Sequence, residues 1–334
     1  MDPYFIPFLN AETLKDRYSK LSEFLHKTPI LTSNSINLDC GASLFFKCEN
    51  FQKSGAFKMR GVSNAIYELL KMKNKPKGVI AHSSGNHGQA LAWAAKQNDI
   101  QCVVVMPRNA SKFKKKAVLA AGGEIIECDS NITSRINTVK KICETSGFIE
   151  IHPSNQPSVI LGQGSAAWEL MTECHKNNIK LSHIGVPVGG GGLAAGTGFA
   201  VSIWNKTHGT SIKVFAGEPA GANDAYRSFY SGKIEHNKNP KTIADGLRTE
   251  LGSINFPIIQ KTIDAIYLVS DAEILEGQLK LAERLKLIIE SNCSPPFSVV
   301  CKERQIFHNK TIGIILSGGN IDLRNSSWGS QLKA

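Results

Sequence analysis

At about 150 residues per domain, a chain of 334 residues points to two domains. Hydrophobic residues make up 42% and charged residues 20%, which is ordinary globular usage; it excludes disorder, and no apolar run reaches the eighteen or so residues of a membrane span. Thirty-nine Lys and Arg against 28 Asp and Glu leave a net charge of +11, which admits acidic small molecules or nucleic acid as partners.

The opening MDPYFIPFLN has Asp2 where a secretory leader carries positive charge, and no apolar core follows. The chain therefore reads as soluble and cytoplasmic, and its eight scattered cysteines as reduced thiols. Residues 44–47 (LFFK) predict a strand, 63–72 a helix, 78–82 (GVIAH) a strand and 87–97 a helix. Residues 101–106 (QCVVVM) and 124–127 (EIIE) predict further strands, with a helix over 113–121 between them. Strands over 183–188 and 311–316 and an amphipathic helix over 274–289 complete the pattern. Such alternation predicts an α/β fold with mostly parallel sheets, in two units. The basic run at 71–77 has no aromatic and that at 112–116 only Phe113, too few to stack successive bases, so they read as solvated faces and nucleic acid is not expected.

Ligands in such folds sit where strand carboxyl ends meet helix amino ends. Four loops there are unusual: SGAFKMRG at 54–61, HSSGNHG at 82–88, GGGG at 189–192 and SGGN at 317–320. Four consecutive glycines are costly unless backbone must approach something, and the helix that follows adds a favourable dipole, so Gly189 to Gly192 predict a phosphate cup. The frame Gly190-x-Gly192-x-x-Ala195 also fits a dinucleotide motif, and discriminates poorly alone. The SGNHG turn offers donors for a carboxylate, or equally a capped helix with Ser84 or Asn86 as the cap. Lys58 lies between Phe57 and Met59, where apolar surroundings favour a neutral, nucleophilic amine over a snorkelling surface one once the cup and the carboxylate turn are added. Together the three describe a pyridoxal phosphate enzyme acting on an amino acid.

FFKCENFQKSGAFKMRG, HSSGNHGQALAWAAK, PVGGGGLAAG, TIADG and LSGGNID stand in order along residues 28–322. With these motifs the chain resembles the serine racemase and serine/threonine dehydratase group of fold-type II pyridoxal phosphate enzymes, and within it the eukaryotic serine racemases. The resemblance implies a tryptophan synthase β-like architecture with the cofactor between two open, mostly parallel α/β domains. Residues 1–77 and 156–334 would form the large domain and 78–155 the small mobile one. It further implies that Lys58 bonds the cofactor aldehyde and works as base on one face. Phe57 would pack beside the ring, Asn86 meet its phenolic oxygen and Ser317 its pyridine nitrogen. Gly189, Gly190, Gly191, Gly192 and Leu193 would hold the phosphate. Ser84 would be the opposing acid/base that racemisation needs. Ser83, Ser84, Gly85, Asn86, His87, Arg135, Ser154 and Gly246 would line the substrate site.

A divalent cation site, Mg²⁺ or else Ca²⁺ or Mn²⁺, is implied at Glu218, Asp224 and the Ala222 carbonyl. Lys53, Ser54, Gln89, Lys114, Lys286 and Asn320 match an intersubunit nucleotide site for ATP, weakened by Ala121 in place of a tyrosine. Ser154 departs from the group's asparagine or phenylalanine, and SNCSPP after Glu290 departs from its proline- and glycine-bearing turn. The implied activity is interconversion of L- and D-serine with elimination of serine to pyruvate and ammonia, in a homodimer and with no membrane partner. The rivals are a dedicated L-serine/L-threonine or 3-hydroxyaspartate dehydratase, or an aspartate racemase.

Overall fold

The computed structural model describes residues 11–83 and 85–324, and it folds around two sheets. Ten strands run as β1 (Ile30–Leu31), β2 (Ser43–Cys48), β3 (Gly78–His82), β4 (Gln101–Pro107), β5 (Glu124–Cys128), β6 (Ile149–Glu150), β7 (His183–Pro187), β8 (Lys213–Pro219), β9 (Ala265–Val269) and β10 (Thr311–Leu316). The larger sheet has the order β1-β2-β10-β7-β8-β9 and is parallel except for the short β1, which pairs antiparallel with β2. The smaller sheet, β5-β4-β3-β6, is parallel throughout. Helices cover such sheets on both faces, so interior strands read as continuous apolar runs; QCVVVMP and TIGIIL do so and are buried almost end to end.

Strand boundaries follow the sequence reading to within a residue or two, and the helices differ more. The helix expected over 274–289 is Asp271–Leu285: Ser270 and Glu273 form a capping box that starts it earlier, and Lys286 at φ 59° stops it. The chain then leaves the helix at 286–290, which carries Glu290 inward to 6% exposure. The first helix after β2, expected from residue 63, begins at Lys58 itself (Lys58–Leu70).

That early start has a cause in charge. Arg60, fully buried, donates from Nε to Glu49 Oε2 at 2.6 Å and from Nη1 to Glu169 Oε1 at 2.8 Å. Lys47 Nζ closes the group on Glu169 Oε2 at 2.7 Å. Removing one member of such a cluster strands a buried charge, so the pairing fixes the first turn of the helix against β2. Lys58 is two residues from that anchor. The carboxyl ends of β2, β3, β7 and β10 deliver the four unusual loops.

Candidate active site

Lys58 opens its helix with the side chain directed at the 153–155 segment. Its Nζ donates to the Pro153 carbonyl at 2.7 Å and lies 5.0 Å from the centroid of the Phe57 ring. With no carboxylate to hold the charge, burial alone pulls the amine down from 10.5 to about 8. The preceding residues are zipped to the end of β10: Phe57 N–H donates to the Ser317 carbonyl at 2.9 Å, and Ala56 bridges Gly318.

The glycine bend meets the same 153–155 segment from the other side. Gly191 turns left-handed at φ +78° and starts helix Gly192–His208. A Cβ on Gly192 would come within 2.9 Å of Ser154 Cα, one on Gly190 within 2.7 Å of Ser154 Oγ, and one on Gly189 within 2.8 Å of Leu247 Cα. Asn255 Nδ2 holds the bend by donating to the Gly190 carbonyl at 2.8 Å. The first amides of a helix have no partner within it, so the bend offers a row of N–H groups and the dipole's positive end to an anion. A phosphate fits that backbone cradle, and an aldehyde fits the readily deprotonated amine across the same segment.

The SGNHG turn is held by Ser83. Its hydroxyl accepts from Gly85 N–H at 3.2 Å and Gly88 N–H at 3.0 Å, so it does the capping expected of Ser84 or Asn86. Ser84 itself lies outside the described residues. Asn86, first in helix Asn86–Lys96, donates one amide hydrogen to Glu290 Oε1 at 2.7 Å and accepts from Asn320 Nδ2 at 2.9 Å, which leaves its second hydrogen for a ligand. Glu290 also accepts from Asn320 N–H at 3.0 Å and Asn292 Nδ2 at 3.0 Å, and burial pushes its carboxyl up. Asn292 Oδ1 in turn receives Gly246 N–H at 3.0 Å. His87 is buried, with Nε2 at 2.8 Å from the Ile151 carbonyl; burial holds it well below the usual range, so it stays neutral. Ser317 Oγ lies 3.3 Å from the buried Cys293 Sγ.

Lys58, Phe57, Asn86, Ser154, Gly246, Ser317 and the glycines thus meet at one junction between the sheets. Arg135, in helix Ile132–Ser146, reaches the Ser130 carbonyl at 3.5 Å with its Nε buried without a partner, and its charge acts on His82, whose ring packs against His152 at 5.5 Å. Of the expected nucleotide residues, Asn320 Nδ2 donates to the Ser54 carbonyl at 2.8 Å, Gln89 shares the helix of Asn86, and Lys53 Nζ lies 5.1 Å over Trp93 in that helix. Ser54 Oγ is buried with no partner. Lys114 is instead ion-paired with Asp245, and Lys286 Nζ turns to the Glu283 carbonyl at 2.5 Å.

At the end of β8, Glu218 accepts Ala225 N–H at 2.9 Å and Tyr226 N–H at 2.7 Å, while Asp224 accepts from Asn237 Nδ2 at 2.7 Å. Burial, then the neighbouring Asp224 charge, raises Glu218 well above its ordinary value; burial raises Asp224 to about 7. Asp224 Oδ2 is buried without a partner. The two carboxylates fit a hard divalent cation, which would supply the positive charge they lack. Among the described residues no group of three or more His, Cys, Asp or Glu surrounds such a position, so its other ligands would be carbonyls and water.

Sequence reasoning missed Glu290, Asn292 and the Pro153 carbonyl. The one signal was an acid closing the apolar run LKLIIE.

Residues 21–318 match the family described as pyridoxal-phosphate dependent enzyme. The chain is 42% identical over 323 residues to the serine racemase of Dictyostelium discoideum, covering 96% of this chain and 97% of that one. It is 39% identical over 317 residues to a β-hydroxyaspartate dehydratase of Paracoccus denitrificans (strain Pd 1222), covering 95% and 98%. The structure of maize serine racemase superposes with a TM-score of 0.90 at 38% identity, covering 97% of each chain.

Proposed function

Since the chain belongs to the pyridoxal-phosphate dependent enzyme family, we propose that it interconverts L- and D-serine and also eliminates water from serine to give pyruvate and ammonia. The observation that carries this reading is the part-buried Lys58 amine, its pKa pulled down by burial, set between the glycine cradle and the end of β10. The cofactor, when bound, draws electron density from the substrate α-carbon and makes its proton acidic. The rest falls to the chain. The glycine amides would hold the cofactor's anionic tail, and the Asn86 amide, oriented by Glu290 and Asn320, would offer its free hydrogen to the phenolic oxygen. The Ser317 hydroxyl would be the neutral partner of the ring nitrogen. The Lys58 amine would take the α-proton at Nζ on one face, and Ser84, by resemblance, would return a proton on the other.

The Paracoccus relative favours one rival, 3-hydroxyaspartate dehydratase, and Ser154, where the group has asparagine or phenylalanine, bears on side-chain specificity without choosing among the rivals. Chiral amino-acid and keto-acid analysis after incubation with serine, threonine, aspartate and 3-hydroxyaspartate decides between them. In that assay Lys58→Ala abolishes racemisation and elimination together, and borohydride reduction no longer leaves a pyridoxyl group on residue 58. Ser84→Ala loses racemisation and D-serine use while keeping elimination of L-serine; an unchanged racemase rate refutes the role given to Ser84.

The same reading makes the protein a cytoplasmic homodimer with a cation at Glu218, Asp224 and the Ala222 carbonyl, and an ATP site at Lys53, Ser54, Gln89, Lys114, Lys286 and Asn320. The orphaned Asp224 and Ser54 oxygens support the two ligand sites. Mg²⁺ raises the unfolding temperature of wild-type protein and not of Asp224→Ala if the cation reading holds.

A further inference from the structure

A second chemically competent pair lies on the opposite side of the larger sheet's chain ends, away from Lys58. Helix Asn34–Cys40 ends on Cys40, which is 1% exposed, and Gly41 at φ +64° closes that helix and turns the chain toward β2. Cys301 sits in the last turn of helix Pro295–Lys302 and is partly exposed. The two sulfurs are 3.8 Å apart although the residues are 261 positions apart in sequence. The other buried thiols have different neighbours: Cys48 Sγ is 3.2 Å from the Phe46 carbonyl, Cys128 Sγ is 3.6 Å from that of Met106 and Cys293 Sγ is 2.9 Å from that of Gly318.

Cations flank the pair. Lys280 and Arg304 both reach Asp39, the residue before Cys40, Arg304 at 3.3 Å. The hydrogen bond between the sulfurs lowers the Cys40 thiol and raises Cys301, so of the two Cys40 ionises first. The partly exposed Cys301 gives an oxidant access to the pair, Cys40 beside it is the thiol that ionises first, and the contact between the sulfurs supplies the resolving group.

We propose that Cys40 and Cys301 form an oxidisable dithiol, a modification site that takes a hydroperoxide or a comparable two-electron oxidant and closes to a disulfide. With hydrogen peroxide, one thiolate attacks a peroxide oxygen, the O–O bond breaks, and a sulfenic acid forms as hydroxide leaves and takes a proton from solvent to become water. The second thiol then attacks that sulfur and expels a second water. Both sulfurs are oxidised by one electron each and the peroxide is reduced to two waters. Closure requires the sulfurs to approach from 3.8 Å to about 2.05 Å, a side-chain rotation at two helix ends. The bond ties the helix before β2 to one that leans on β8: a Cβ on Gly217 would come within 2.5 Å of the Pro295 backbone, one residue from Glu218. Cross-linking positions so distant in sequence restricts the unfolded chain strongly.

The test uses the wild-type holoprotein, treated with hydrogen peroxide and then unfolded for thiol titration. Two of the eight thiols disappear, the intact mass falls by two hydrogens, and digestion yields one linked peptide joining residues 40 and 301. The unfolding temperature rises by about 5 °C or more and returns with dithiothreitol. Cys301→Ser and Cys40→Ala each prevent the cross-link and the rise. Eight thiols surviving the treatment, a link mapping to any other cysteine, or oxidation that stops at one sulfur would overturn the proposal, and wild-type mapping settles this even if a variant folds poorly.

Discussion

The two strand-to-helix turns that face each other across the junction occupy equivalent places in their sheets, yet they are built in opposite ways. After β7 the chain uses four glycines and no side chains; Gly190 and Gly192 press closely on Ser154, and a methyl group on Gly192 would meet its backbone. After β3 it uses side chains: Ser83 caps, Asn86 is held at both ends of its amide, and His87 is neutral and buried. Bare backbone presents fixed amides, suited to an anion whose place never changes. Side chains present groups whose hydrogens can be aimed, suited to the part of a ligand where bonds are made. Lys58 stands between them and needs the space to be dry.

That dryness is the first and largest thing to challenge. If water filled the gap between the turns, the amine would titrate near 10.5; as placed it titrates near about 8. At pH 7 the neutral fraction is then about 300-fold greater, since about 2.5 units separate the two values. Apoprotein should therefore recombine with pyridoxal phosphate at a rate that rises with pH and levels off above about 8. An inflection near 10.5 would mean a wet junction. The sign for stability follows: the unfolded lysine keeps its proton up to about 10.5 and the folded one only to about 8, so apoprotein stability from this group rises with pH across that window.

A smaller effect separates the turns themselves. Gly192→Ala drives a methyl group to 2.9 Å from Ser154 Cα and 3.1 Å from its carbonyl, both backbone atoms that cannot rotate aside. Overpacking of that kind costs about 1–3 kcal/mol, so cofactor affinity should fall roughly 10- to 100-fold in an equilibrium titration. Gly190→Ala meets the Ser154 hydroxyl, which can turn, and should lose less. If both variants bind the cofactor as wild type does, the glycine bend is not the cradle.

The bend was legible in sequence because a run of four glycines is locally expensive and has to be explained. The parallel strands were legible because burial on both faces writes continuous apolar runs. Pro153 and Glu290 were not legible, because they meet Lys58 and Asn86 across 95 and 204 positions and each lies in unremarkable local sequence. The helix expected to run to 289 failed for a related reason: its apolar spacing continues, but Lys286 turns left-handed and the following residues serve the junction instead of the helix. Ser83 was not legible as a cap, since its part in the turn rests on the amides of Gly85 and Gly88 that reach its hydroxyl.

That hydroxyl leads to the mildest test of the contrast. Ser83 Oγ receives two amides, so its loss should cost about 1 kcal/mol of folding stability, the usual value of a helix cap, or roughly fivefold in the unfolding equilibrium. The hydroxyl is occupied by the Gly85 and Gly88 amides and is not left for a ligand. Ser83→Ala should therefore shift the denaturation midpoint while cofactor affinity stays within about twofold, the reverse of what Gly192→Ala does, since a change below about 0.5 kcal/mol is expected where no contact is lost. Measured side by side, urea unfolding and cofactor titration of the two variants assign each turn its function. A Ser83 variant that binds cofactor as poorly as the Gly192 variant would show that the two turns hold the same group, and the division between fixed amides and aimed side chains would fail.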